Sequence, residues 1–302
     1  MIRGASQVRY SQIRAFHNVA IHGGFSRAAE AVFQTQPALS EQVRRLEQEY
    51  DVLLFNREKK RVQLTPAGER LLVLSKRFFE AEDHMEDYLS ETRAAIDGTL
   101  RIVADSAHHV TAYLSRFRQR HPDVFISVKT GNTAEVLKEL RNYTAEIGIV
   151  GSMGPGPDFD CVSLGSTSIV AFCAVGYLPE HVRGLRLQDL GQYPLVFREE
   201  GSRTRQKLAD AAQAQKVALR PALEVEGREA MRDVVASGSG IGFVSEAEFG
   251  NDARLVKIPL EGIDLRMSET MVTLTARKEV RIIRAFMECV RELGADEESL
   301  LV

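Results

Sequence analysis

The chain has 302 residues, with 39 Lys and Arg against 42 Asp and Glu for a net charge of −3, 44% hydrophobic residues, three Cys and no Trp. That is enough chain for two or three domains, too apolar for a disordered chain, too poor in cysteine for a disulfide scaffold, and without any apolar run as long as a membrane span. No basic stretch followed by an apolar core opens the sequence, so a cytoplasmic protein is expected.

The charge is uneven along the chain. Residues 1–66 hold ten Lys or Arg against six Asp or Glu, residues 67–97 hold four against eight, and the remainder hold 25 against 28. The first segment is therefore the one suited to neutralising phosphates. Cys161, Cys173 and Cys289 lie far apart without metal-ligand spacing, and read as buried reduced thiols.

In chain order, Ile13, Phe16, Val19 and Ala20 fall at helical spacing between Tyr10 and Ile21, and Gly23-Gly24 ends that helix. His17 and His22 read as surface or packed residues. Ser26 is expected to cap a second helix, next to Arg27 and with Ala28, Ala29 and Ala31 allowing close approach, and Thr35 a third, with Pro37 in its first turn. In the third helix Leu39, Val43 and Leu46 form one apolar stripe, leaving Gln36, Pro37, Ser40, Gln42 and Arg44 off it. Short polar and basic side chains of this kind suit base edges and phosphates in a major groove, although such amphipathic helices also occur without that role. From Leu54 to Gly68 apolar residues alternate about a basic tip of Arg57, Lys59, Lys60 and Arg61, which predicts a short hairpin, or wing.

Thr65 caps the next helix with Pro66 at its first position, and neither Gly nor Pro interrupts the chain between Gly68 and Gly98. Leu71, Leu74, Phe78, Ala81, Met85, Tyr88, Thr92 and Ala95 alternate spacings of three and four, a heptad seam. A helix of about thirty residues, against the usual ~11 to 12, cannot bury such a stripe alone, and homodimerisation is expected.

From Gly98 short apolar strands alternate with helices: strands at 100–104, 124–128 and 146–150, helices at 108–120 and 133–143, then a turn-rich loop from Gly151 to Pro157. A second set has strands at 169–174, 194–197, 223–226 and 242–245 and helices at 204–215 and 229–236. A strand at 272–275 and a helix at 281–293 close the chain. The alternation implies parallel sheets with right-handed crossovers.

Taken together, Ser26 to Gly68 resembles the winged helix-turn-helix of LysR-type transcriptional regulators. The matching residues are the run Gln36-Pro37-Ala38-Leu39-Ser40, Leu46-Glu47, Leu54-Phe55 with Arg57, and Leu64-Thr65 with Ala67-Gly68. Glu41 departs from it, standing where many members carry Arg or Lys; it could accept from a cytosine amino group or face solvent. Val235, Gly238, Gly240, Ile241 and Gly242 are similar to the family's pattern in the second half, with Ser245 where proline is usual. The resemblance implies an all-α winged helix-turn-helix domain at 1–66, a dimerising linker helix at 67–97, and a periplasmic-binding-protein-like effector domain at 98–302. Its two α/β subdomains would be 98–168 with 267–302, and 169–266. It implies a homodimer, with tetramers the family's habit, and a protein that binds double-stranded promoter DNA through Ser26, Arg27, Thr35, Gln36, Pro37, Ser40, Gln42, Arg44, Arg57 and Arg61. A small effector would reposition the DNA-binding domains and alter access for RNA polymerase; no cofactor is implied.

In such folds ligands lie between the two halves, beyond the carboxyl ends of the strands. Three strand-to-helix junctions qualify there: Asp105, Ser106, His108 and His109; Gly131, Asn132 and Thr133; and Arg198 with Ser202 and Thr204. Free amides, hydroxyls and nearby Arg side chains make them anion sites, though caps of this kind also serve only to start helices. Adjacent histidines on a helix point about 100° apart and no third ligand is in sight, so no metal is expected; the alternative is a helix-start His that contacts an anion. The stretches 104–110, 198–205 and 244–248 resemble the subgroup associated with 2-aminoethylphosphonate catabolism. That resemblance implies a phosphonate held by Ser106, Asn132, Thr133, Ser202 and Thr204, and an ammonium held by Asp105 or Glu246; sulfate, phosphate or an aromatic carboxylate are the alternatives. A solute-binding transport component shares the second architecture, but the missing secretion signal and the attached winged helix count against it. No nucleophile elbow, P-loop or dinucleotide-binding glycine pattern points to an enzyme.

Overall fold

The computed structural model describes residues 8–56, 62–89, 96–151 and 156–299. The chain divides into two compact units, at 1–93 and 94–302. No helix among the described residues is long and apolar enough to cross a membrane.

The first unit contains α1 (Tyr10–Ile21), α2 (Phe25–Ala31), α3 (Gln36–Tyr50), β1 (Phe55–Asn56), β2 (Gln63–Leu64) and α4 (Pro66–Leu89). Its core joins Phe16, Val19, Ala28, Ala29, Leu39, Val43, Leu46, Leu54 and Phe55. The α2 cap is Gly24 rather than the expected Ser26, because the chain turns through positive φ at Gly23 and Gly24 and the helix is already formed at Phe25. Thr35 caps α3 as expected, its hydroxyl accepting from the Ala38 N–H at 3.4 Å.

Two motif residues tie the wing down. Glu47 is buried and its Oε1 accepts from the N–H groups of Leu54 and Phe55, at 2.9 and 3.3 Å. Thr65 donates to the Leu53 carbonyl at 2.7 Å and accepts from the Gly68 N–H at 3.0 Å. A Cβ on Gly68 would lie 2.2 Å from the Leu54 carbonyl oxygen, so only glycine fits there. β1 and β2 pair antiparallel, with Phe55 opposite Leu64; the expected tip, Arg57 to Arg61, lies outside the described residues, as do seam positions Thr92 and Ala95.

The second unit has two lobes. β3 (Gly98–Ala104), α5 (Thr111–Arg120), β4 (Val124–Thr130), α6 (Thr133–Arg141) and β5 (Ile147–Gly151) begin lobe I. A 16-residue strand, β6 (Phe159–Ala174), then runs out of lobe I into lobe II. Lobe II continues with β7 (Leu185–Arg186), β8 (Leu195–Arg198), α7 (Arg203–Ala214), β9 (Pro221–Val225), α8 (Arg228–Ala236), β10 (Gly242–Ser245), α9 (Glu246–Phe249), β11 (Leu255–Ile258) and β12 (Leu260–Glu261). The return strand β13 (Arg266–Leu274) leads to α10 (Arg281–Ser299), which packs in the lobe I core through Ile283, Phe286 and Met287.

The expected parallel sheets are only part of the answer. β3, β4 and β5 are parallel, as are β8 and β9. β13 is antiparallel to β5 and β6, and β10 and β11 are antiparallel to β6, because the long strands must cross out and back. Two short strands expected at 169–174 and 272–275 are thus pieces of longer ones. The helix expected from His108 begins with a 3-10 turn at Ala107–His109 before α5.

Candidate functional site

On the solvent side of α3, Gln36, Pro37 and Arg44 are exposed and Ser40 and Gln42 half-buried, while Ser26 and Arg27 stand exposed on α2. Glu41 does not stand alone: its carboxylate accepts from Arg44 Nε at 2.9 Å and from Arg45 Nε at 2.8 Å. Hydrogen bonds from those two guanidinium groups hold its pKa down to about 2.

Between the lobes of the second unit lies a cavity of about 410 Å³. Asp105, Ser106 and His108 reach it from the end of β3, Asn132 and Glu135 from the start of α6, Arg198 and Glu199 from the end of β8, Arg228 and Arg232 from α8, and Glu248 from α9. Each of the three junctions read from sequence thus contributes part of its residues, the first through Asp105, Ser106 and His108 but not His109, the second through Gly131 and Asn132, and the third through Arg198. Ser202 is buried as the α7 cap, with its hydroxyl on the Arg205 N–H, and Thr204 faces a small apolar space beside Val196 and Leu208, so neither lines the cavity. Thr133 is buried in α6 and is likewise not in the lining. Glu246 is exposed and pairs with Lys257; on the single turn of α9, Glu248 is the carboxylate turned inward. The junction between β9 and α8, which brings Arg228, escaped the sequence reading because Glu226-Gly227-Arg228-Glu229 carries none of the hydroxyl or amide caps that marked the other junctions.

The arginines of the cavity are already partnered. Arg198 pairs with Glu199, whose Oε2 also accepts from the Gly227 N–H at the start of α8, at 3.1 Å. Burial works against ionising Glu199, but Arg198 and that amide hold its pKa below the usual range. Asn132 and Glu135 form a capping box that fills the α6 N-terminus. Arg228 bonds to Glu248, and to Asp105 Oδ2 at 3.3 Å.

Behind the wall, His109 Nε2 lies 2.7 Å from Glu248 Oε1 and 3.7 Å from Glu269 Oε1. Asp105, His109 and Glu269 each bring a ligand atom within 4.8 Å of the others. Among the described residues, Asp105 Oδ1, Glu248 Oε2 and both oxygens of Glu269 are buried without a hydrogen-bond partner. Burial, with the Asp105 and Glu248 charges, pushes Glu269 up to about 9, and burial also raises Asp105. Two of the bridges join the lobes, since Asp105 and His109 belong to lobe I and Arg228 and Glu248 to lobe II. Glu269 sits on β13 where its register with β6 shifts, a bulge that re-aims a side chain. At the same crossing the Ser245 hydroxyl lies 2.7 Å from that of Thr167, which is what serine does in the place where the family's pattern has proline.

Comparisons with known proteins agree with this architecture. Residues 10–69 match the bacterial regulatory helix-turn-helix protein model of the lysR family, and residues 93–295 the LysR substrate binding domain model. The chain is 28% identical over 289 residues to the RuBisCO operon transcriptional regulator of Allochromatium vinosum, covering 94% of this chain and 95% of that one. It is 26% identical over 255 residues to the transcriptional activator CmpR of Synechocystis, covering 84% and 81%. Among solved structures, a full-length OxyR variant from Pseudomonas aeruginosa superposes with a TM-score of 0.76 at 19% identity, over 94% of this chain and 95% of that one. CbnR complexed with its target DNA superposes with a TM-score of 0.65 at 19% identity, over 94% and 99%. The matched families consist of regulators and not of enzymes, and the two models cover most of the chain between them. The chain belongs to the LysR family of DNA-binding transcriptional regulators.

Proposed function

We propose that this regulator acts in the cytoplasm as an oligomer paired through the 67–97 helix, reads promoter DNA with residues 1–66, and senses a zwitterionic aminophosphonate, 2-aminoethylphosphonate, between the lobes of 98–302. The observation that carries the effector reading is the pairing of Arg228 with Asp105 and Glu248 inside the cavity. A ligand of one sign that takes one member of that buried set leaves the other unpaired, at a cost of about 3 to 5 kcal/mol. A ligand of both signs exchanges partners instead. Its ammonium replaces the guanidinium at Asp105 Oδ2 and Glu248, whose Oε2 is still unpartnered, while its phosphonate takes Arg228, with Ser106 and His108 beside it. Because the exchange replaces the Arg228–Asp105 bridge between the lobes, ligand binding would shift the balance between arrangements of the two lobes.

Ligand-dependent melting of the purified protein tests this, since a ligand that binds only the folded state raises the melting temperature. The panel is 2-aminoethylphosphonate, phosphonoacetaldehyde, phosphonoacetate, phosphate, sulfate, an aromatic carboxylate and a sugar bisphosphate. At a hundredfold excess over Kd the expected gain of ~2.7 kcal/mol corresponds to a rise of roughly 5 to 11 °C. The aminophosphonate alone should give it, and Glu248→Gln should remove it. A saturable shift with phosphonoacetate or sulfate but not the aminophosphonate would sink the zwitterion.

A second reading rests on the relatives. Several are regulators of RuBisCO operons, so this chain would control carbon fixation and answer to a purely anionic metabolite. A shift with the sugar bisphosphate alone would favour it. The prior neutralisation of Arg198 and Arg228 by Glu199, Asp105 and Glu248 argues for the zwitterion.

A further inference from the structure

We propose that Asp105, His109 and Glu269 form a site for a divalent transition-metal cation of the zinc type, lying behind the wall of the effector cavity. The site comes from three distant stretches of chain: Asp105 at the end of β3, His109 at the end of the 3-10 turn, and Glu269 on the crossing strand β13. Their ligand atoms lie within 4.8 Å of one another. Glu269 is only 4% exposed and neither of its oxygens has a hydrogen-bond partner among the described residues; Asp105 Oδ1 is in the same condition. Buried acceptors of that kind normally have a donor or a cation.

Distance distinguishes the cation. His109 Nε2 and Glu269 Oε1 are 3.7 Å apart. Two ligands on a zinc-type ion, each at about 2.1 Å, would subtend roughly 120° at that separation, close to the tetrahedral preference. Two acceptors of one ammonium, each at about 2.8 Å, would subtend only roughly 80°, well below the tetrahedral spread of its N–H groups. Imidazole with two carboxylates is a common donor set for such ions, and the fourth position would be open. Glu248 Oε1 now lies 2.7 Å from that same Nε2, and would give up this contact to the ion when the ion binds.

The inference does not depend on the aminophosphonate. Full-length protein freed of metal with a chelator is titrated with Zn2+ by calorimetry and with Co2+ by visible absorption, both without effector. The expected result is one saturable equivalent per chain, with the strong visible bands of four-coordinate Co2+. Glu269→Gln and His109→Asn should each weaken binding at least tenfold, while His108→Asn, changing the exposed neighbour, should leave it unaltered. Glu269→Gln keeps the side-chain shape and removes a buried carboxylate, so it should melt no lower than the parent protein; if it fails to fold, His109→Asn carries the comparison. Absence of saturable uptake overturns the site, and uptake undiminished in the variants means an adventitious ion only. Repeating the melting panel on metal-free protein separates the two proposals: a shift with 2-aminoethylphosphonate and no metal uptake would leave the effector reading standing and this one fallen.

Discussion

Glu41 is one side chain on the outer face of α3, yet it governs the charge of two neighbours. With its carboxylate shared between Arg44 and Arg45, the solvent face of the helix presents the two guanidiniums with a net charge of +1 instead of +2. Glu41→Gln should release them to phosphates. Binding to any duplex should strengthen several-fold at low salt, and the slope of log affinity against log salt should steepen by roughly 1 to 2, at about 0.9 per additional phosphate contact. Sequence preference should stay as it was; an unchanged salt slope would remove this role. His17 acts through burial. It sits against Ser75 at 3.0 Å and the Phe79 ring at 4.5 Å, and desolvation, with Lys76 and His22 nearby, lowers its pKa to about 4. Since the unfolded chain then takes up the proton first, the His17 contribution is complete above about pH 6.5 and drains away as pH falls toward 4. Partial exposure screens the effect to about 1 to 2 kcal/mol. The melting temperature of the parent protein should fall over that interval more than that of His17→Gln.

At the scale of elements, α4 shows what helical periodicity can and cannot reveal. Leu71 is half-buried against the first unit's own core, whereas Leu74, Phe78, Met85 and Leu89 are more than half exposed. An apolar edge this long on one helix is suited to a second copy of itself. Phe78→Glu should therefore move the protein to a smaller species in sedimentation, by placing a charge in the seam, with helix content retained; an unchanged sedimentation coefficient would mean that α4 does not pair chains. Apolar stripes in α1, α3 and α4 were legible because each spans several helical turns. The crossing strands were not. β6 carries Ser163, Gly165, Ser166 and Ser168 through the middle of its sixteen residues, a composition that signals a turn, and only pairing with β13 keeps it extended. The inward carboxylate of α9 was also hidden, since a helix of one turn has too few residues to show a periodicity. Glu269 was hidden for another reason: a register shift beside it breaks the alternation from which a strand's inner face is read.

Over the whole molecule, the sequence revealed most where function lies in consecutive residues and least where it lies in folded proximity. The winged helix-turn-helix is local, and Gln36 to Gly68 carries nearly all of it. The cavity is assembled from residues 105 to 250, with Glu269 behind it. Sequence reading found the junctions at Asp105, Asn132 and Arg198, but could not foresee that each Arg would arrive with a carboxylate attached. At Arg228 that prior pairing joins residues from separate stretches of chain, and no single segment contains it.

The out-and-back path of β6 and β13 also sets an order of assembly. Lobe II is an insertion: its segments all lie between the two crossings, so they are complete before Arg266 leaves the ribosome. Lobe I is interrupted. Its core waits for Met271 and then for Ile283, Phe286 and Met287 near the end of the chain. The half that begins first in synthesis is therefore the half whose core is completed last.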